Sequence, residues 1–166
     1  MTYLGALTTF HTTVSVIAIL TGAAAMTGLL RGGHSGSWTR WFLLTAVVTS
    51  VTGFFFPYVG LTPAVIVGVV ALAILAVVLI AFYQFKLARA WRWIYAIGMV
   101  ASLYLLVFVG VVQAFQKIAF LTALAPTQSE TPFVIAQAVT LAFFLVIGVI
   151  AVRGHPSGML EPPPAA

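Results

Sequence analysis

The sequence contains no cysteine and no aspartate, and it has only two glutamates among 166 residues. The lack of cysteine excludes disulfides, thiolate metal ligands and a cysteine nucleophile. Without aspartate, a Ser-His-Asp triad cannot form. Charged residues make up 5% of the chain, whereas a soluble domain has roughly 25%. Because water would not keep such a surface dissolved, we expect lipid to be the solvent for most of the chain.

Hydrophobic residues make up 63% of the chain, and its mean hydropathy is +1.19. A membrane-spanning helix needs about 20 apolar residues, and the sequence offers five such runs. We therefore predict an all-α protein, a polytopic transmembrane helix bundle that forms one domain over residues 1–153. Residues 154–166 form a polar, proline-rich tail. The predicted spans are about 7–30, 41–56, 63–85, 93–117 and 133–152.

The basic residues alternate between successive loops, which predicts an orientation. Arg31 and Arg40 separate the first two spans, three more cations separate the third from the fourth, and Arg153 follows the fifth. The intervening loops carry Glu130 and no cation. By the positive-inside rule the N-terminus lies outside and the C-terminal tail in the cytoplasm. No basic residue precedes the first apolar run, so we expect that run to be a retained helix and not a cleaved signal peptide.

Two spans have unusual lengths. The second, 41–56, is about 24 Å long, which is short of a hydrocarbon core of roughly 30 Å. The fourth continues apolar to Leu124, about 48 Å in all, so it must tilt, protrude or break near Lys117. The third span carries almost no polar side chain, and we expect it to be the most exposed to lipid.

Polar side chains are costly in hydrocarbon, so their positions are the best sequence clue to a site. At 1.5 Å per residue, His11, Gln113 and Gln137 reach similar heights near the outer side. We therefore predict that the first, second, fourth and fifth spans enclose a polar pocket that opens outward, with Glu130 near enough to pair with Lys117. The polar residues of this predicted pocket are His11, Thr12, Ser15, Thr52, Gln113, Gln116, Lys117, Glu130 and Gln137, and its aromatic residues are Phe54, Phe55, Phe56 and Tyr58.

Each of these residues also has a purely structural interpretation. Lys117 near a helix end can extend its ammonium group to the lipid headgroups, with Gln113 and Gln116 beside it in the interface. Serine and threonine stripes in membrane helices commonly serve close packing. A histidine such as His11 is often a hydrogen-bonded structural group. The site interpretation depends on whether these faces converge.

Several kinds of chemistry lack their residues. A haem with two histidine ligands needs a second histidine within the spans, where only His11 lies, and a zinc site lacks ligands. No glycine-rich nucleotide-binding loop is present. The sequence therefore predicts no catalytic residues and no metal site, requires no cofactor, and favours a function other than catalysis. Its small positive charge lies in short loops, which indicates topology and not nucleic-acid binding.

The stretches "LTTFHTTVSVIAILTG", "TSVTGFFFP", "WRWIY", "VVQAFQKI" and "LAPTQSETPF" resemble those of a family of small, uncharacterised proteobacterial inner-membrane proteins. The resemblance extends over nearly the whole chain. It implies a multi-pass protein of the bacterial inner membrane and brings no activity, substrate or functional residue with it.

Three functions remain open. The first is a non-catalytic accessory, assembly or oligomer-forming subunit, with partners in a homo-oligomer or a larger membrane complex. Small-residue faces such as Gly22–Ala25 and Ala64–Gly68 would make its contacts. The second is the binding or transport of a small amphipathic ligand, such as a quinone or lipid, in the outer pocket. The third is a redox subunit in which His11 is a single axial ligand.

Overall fold

The structure is a computed structural model that describes residues 2–31, 33, 36–57, 60 and 62–153. All the regular elements in these ranges are helical, as expected. Tyr58 and the tail 154–166 lie outside the described residues. The helices are α1 (Tyr3–Leu30), α2 (Gly36–Gly53), α3 (Pro63–Leu79, continued by a π-helical turn, Ile80–Gln84), α4 (Trp91–Lys117), the short α5 (Ala119–Leu124) and α6 (Thr131–Arg153).

Four helices are long and apolar enough to cross a membrane: α1, α3 with its π-helical turn, α4 and α6. They correspond to four of the five predicted spans. The second predicted span is the 18-residue α2, which is not among the four. Its many threonines, serines and glycines, together with Arg40, lower its hydropathy.

The bounds of α2 also differ from the prediction of 41–56. The helix begins at Gly36 and ends at Gly53, so Phe54, Phe55 and Phe56 lie beyond it in a turn. Apolar content alone cannot locate this end, because phenylalanine is as acceptable in a membrane helix as in the turn that follows it. The long fourth span was expected to tilt, protrude or break, and in the structure it breaks. Helix α4 ends at Lys117, and Ile118 adopts an extended conformation before α5.

Helices α1 to α4 pack in a ring in which α1 contacts α2, α2 contacts α3, α3 contacts α4 and α4 contacts α1. The sixth helix packs mainly on the outside of α4. The expected bundle of the first, second, fourth and fifth spans is therefore wrong, since α3 takes the place assigned to α6. Of the four candidate spans, α6 and not α3 is the least buried within the chain.

A glycine explains why α3 enters the bundle. Val78 of α3 is fully buried, and a Cβ atom at Gly98 of α4 would overlap its Cγ2 atom. The missing side chain therefore lets the two helices approach closely. Gly22 plays the same part where α1 meets Phe42 and Leu103. Small-residue positions that we expected to contact partners thus serve packing within the chain, and Gly68 likewise lies against the Phe54 ring.

Six of the seven basic residues gather at one end of the bundle, which we call the basic end. The Thr39 hydroxyl lies 3.2 Å from the Tyr95 hydroxyl, so α2 and α4 both begin there. The sixth helix ends there too, since Gly148 lies against Val100 near the start of α4. The six residues are Arg31, Arg40, Lys86, Arg89, Arg92 and Arg153.

Candidate functional site

His11 and Thr52 join α1 to α2 at the end opposite the basic end. The His11 Nδ1 atom lies 2.9 Å from Thr52 Oγ1. The Thr52 hydroxyl also lies 2.8 Å from the Val48 carbonyl, to which it donates. With that bond in place the His11 Nδ1–H is the donor to Thr52, and in this neutral tautomer Nε2 carries the free lone pair. The Phe56 ring stands edge-on to the imidazole, with centroids 5.3 Å apart. Two predicted site residues and one predicted aromatic are therefore in contact.

The other predicted residues of the first span do not join them. The Ser15 hydroxyl donates to the carbonyl of His11 at 2.7 Å, within its own helix, and Thr12 is exposed. Of the remaining aromatics, Phe54 packs on Gly68 and Phe55 is exposed. Tyr58 lies outside the described residues, as stated above.

Gln137 lies on α6 and contacts α4. Its Nε2 atom donates to the carbonyl of Phe108 at 3.2 Å. Its Oε1 atom is buried and has no hydrogen-bond partner in the described part of the chain. Gln137 thus ties α6 to α4 and leaves one acceptor unused.

Gln116 and Gln113 have different surroundings. The Gln116 amide donates to Gln128 Oε1 at 3.4 Å, and Gln128 Nε2 donates in turn to the Val112 carbonyl at 3.1 Å. Gln113 is exposed. We did not predict Gln128, which lies in the loop before α6 with a positive φ of 60°. Only its place in a polar loop marked it, since its contact with α4 is not visible in the sequence.

The break after α4 leaves backbone carbonyls at the end of that helix without their usual helical partners. We did not identify from the sequence the groups that replace those partners. Thr122 of α5 folds back so that its hydroxyl donates to the Phe115 carbonyl at 2.8 Å. Backbone groups inside a membrane need such partners when a helix is interrupted. The one sequence feature that could have indicated this bond is the threonine four residues after Ile118.

Lys117 and Glu130 are not brought together as predicted. Lys117 is exposed in the last turn of α4 and lies within electrostatic range of His11. The Glu130 carboxylate instead accepts hydrogen bonds from its own loop: from the Thr127 amide at 3.1 Å, the Thr127 hydroxyl at 2.9 Å and the Ser129 amide at 3.1 Å. It therefore closes the turn that leads into α6.

These bonds determine the ionisation of Glu130. Partial removal from water acts to raise its pKa, but the donors of Thr127 and Ser129 outweigh that effect and lower the pKa below the ordinary value of 4.5. A lowered pKa means that the carboxylate stabilises the loop above pH 4.5 and that this stabilisation is lost as the pH falls through the lowered value.

We predict that Glu130→Gln at neutral pH loosens this loop in the way that acid loosens the native one. An NMR titration in detergent micelles should move the Thr127 and Ser129 amide signals with a midpoint below 4.5. In Glu130→Gln the same signals should be displaced at neutral pH and lose the titration. A native midpoint at or above 4.5 would contradict the hydrogen-bonded arrangement.

The predicted pocket residues therefore form separate contacts and not one site. The face of α4 that packs on α1, through Leu103 and Gly110, is turned roughly 120° from the face that packs on α6, through Tyr104 and Phe108. The helices that carry His11 and Gln137 therefore pack on different faces of α4, and they touch each other only slightly. The described ranges contain no group of three or more His, Asp or Glu side chains close enough to hold a metal ion.

Comparisons of the chain with protein-family models, with curated proteins and with solved structures find no match, so its function has to be inferred from these contacts.

Proposed function

We propose that α2 also crosses the membrane, so that the chain has five spans with the N-terminus outside and the C-terminal tail in the cytoplasm of a bacterium. Three contacts support an antiparallel path of α2 along α1: His11 with Thr52, Thr21 with Thr45 at 3.4 Å, and Gly22 with Phe42. A helix that runs beside a spanning helix over this length lies at the same membrane depth.

The charge distribution supports the orientation. The basic end holds six cations, whereas the other end holds Lys117 and the one acidic residue of the described ranges, Glu130. Cytoplasmic loops carry the excess of lysine and arginine. Exposed Trp38 and Trp41 lie at the basic end, where an indole can sit in the membrane interface. The resemblance to proteobacterial inner-membrane proteins favours that membrane.

In this setting we assign the chain a non-catalytic function, as an accessory or oligomer-forming subunit of a membrane assembly. One observation carries the proposal: the polar side chains expected to form a site bond mainly to the chain itself. His11 bonds to Thr52, Gln137 to the Phe108 carbonyl and Glu130 to its own loop. The first two bonds join neighbouring helices, as hydrogen bonds between membrane helices do, and the third closes the loop before α6.

The exposed face of α6 is the surface we assign to assembly. This helix packs on α4 by one side and leaves large apolar side chains on the other. Val139, Phe143 and Val146 follow one another at helical spacing and are all more than half exposed. Helix association in membranes is driven in part by van der Waals packing between helix surfaces.

Photocrosslinking in cells tests this proposal. A benzoylphenylalanine at Val139, Phe143 or Val146 should give a protein adduct, either with a second copy or with a partner. The matched control is Val69 of α3, which is 55% exposed but lies on the ring of helices. Failure of all three α6 positions to give protein adducts, or equal yields at Val69, would contradict the assignment.

A second function, the binding of a small amphipathic ligand at the outer end, has one observation in its favour. Gln137 Oε1 is a buried acceptor without a partner among the described residues, and such a group usually has one. A ligand hydroxyl could donate to it. The redox alternative has less support, because it depends on His11 Nε2 alone and needs a second ligand from another chain.

A further inference from the structure

A groove with a volume of about 540 Å³ lies between α4 and α6. Its walls are almost wholly apolar, and the residues that line it include one charged residue, Arg153, and one tyrosine, Tyr104. The groove is open along one side to the medium that surrounds the helices. Its lining includes Val100, Tyr104, Phe144, Gly148, Val152 and Arg153.

The antiparallel register of the two helices places this groove at the basic end. Phe115 contacts Phe133 at the other end, whereas Val100 lies against Gly148 here. From Leu141 to Arg153 the groove follows α6 for about 18 Å. An elongated apolar channel of this length suits a hydrocarbon chain that lies along the helices.

Arg153 supplies a charge where such a chain would end. It is exposed in the last turn of α6, and the one acidic residue of the described ranges, Glu130, lies about 34 Å away along that helix. Trp93 lies one helical turn before Ile97, on the same face of α4 and nearer the basic end. A tryptophan near the end of a membrane helix suits the membrane interface. A guanidinium group binds phosphate oxygens in a bidentate manner.

We propose that this groove binds one phospholipid with an anionic headgroup, with an acyl chain between α4 and α6 and the headgroup phosphate on Arg153. Basic pockets between membrane helices on the cytoplasmic side recognise such headgroups. The site lies at the end opposite to His11 and Gln137, and it does not depend on whether the chain works as a subunit or as a ligand-binding protein.

Two variants test separately the binding of the acyl chain and the binding of the lipid headgroup. Gly148→Leu places a side chain in the groove, and its Cβ atom would meet Val100 at 3.8 Å, an ordinary contact. Arg153→Gln removes the charge and leaves the groove open. Arg40→Gln is the matched control, since Arg40 is an exposed cation at the same end but on α2.

Native mass spectrometry from mixed micelles that contain phosphatidylglycerol and phosphatidylethanolamine with identical acyl chains provides the test. The unaltered chain and Arg40→Gln should retain one phosphatidylglycerol in preference. Arg153→Gln should lose that preference by about fivefold, and Gly148→Leu should lose both lipids, with helix content unchanged by circular dichroism.

Equal retention of the two lipids by the unaltered chain, or an unchanged preference in Arg153→Gln, would overturn the proposal. So would a dimer that Gly148→Leu dissociates while Arg153→Gln does not, because a second copy would then cover the groove.

Discussion

Replacing Gly22 with alanine is expected to destabilise the folded bundle by about 1–3 kcal/mol, although alanine is the better helix former. A Cβ atom at this position would lie 2.7 Å from Leu103 Cδ1 and 2.8 Å from two carbons of the Phe42 ring. The Leu103 tip can move, but Phe42 is fully buried and its ring has little freedom. The substitution should therefore force α1 away from α2 and α4 together.

Gly110 provides the matched control on α4. Its added Cβ atom would meet Ile19 Cδ1 at 3.7 Å, which is an ordinary contact between α4 and α1. Gly110→Ala should leave stability unchanged or raise it by up to about 1 kcal/mol, the usual helical gain of alanine over glycine. Unfolding followed by circular dichroism in mixed dodecylmaltoside and dodecylsulfate micelles measures both. Equal effects of the two substitutions would contradict the close α1–α2–α4 packing.

Cysteine labelling should place the two ends of α2 on opposite sides of the membrane, an all-or-none result. Because the chain has no native cysteine, single substitutions report without background. An impermeant maleimide should label Pro57→Cys and Ser129→Cys in intact cells. It should label Gly33→Cys and Ala88→Cys only after permeabilisation.

The two outcomes for α2 are distinct. If α2 remains on one side, Gly33→Cys and Pro57→Cys will be labelled under the same conditions, and the chain has four spans. If the labelling pattern of all four variants is exchanged between intact and permeabilised cells, the number of five spans is supported, but the orientation inferred from the basic end is wrong.

The sequence was most informative where physical constraints act on length and charge. Apolar runs located four helices that can cross a membrane, because a span needs a minimum length. The excess of apolar residues after Lys117 was too long for one span, and the chain breaks at Ile118. His11 and Thr52 were both identified as polar residues near the outer side, and they bond to each other.

Which helix faces meet was less predictable. Helices that are apolar on all sides have no stripe to show their packing surface, so nothing in the third span revealed that Val78 fits against Gly98. The depths of His11 and Gln137 are similar, but depth does not give rotation about α4. Gln128 was missed because its role arises from a loop that folds back on Val112.

The most direct test of the proposed subunit function is the native mass of the chain extracted in mild detergent with its lipids, recorded together with an absorption spectrum. The account predicts a mass well above that of the 17.6 kDa chain, as a multiple of it or with a partner protein, and no absorption band of a bound cofactor. An isolated monomer without a protein partner would contradict it. A monomer that retains a small amphipathic molecule other than phospholipid, and loses it in Gln137→Leu, would contradict it in favour of ligand binding.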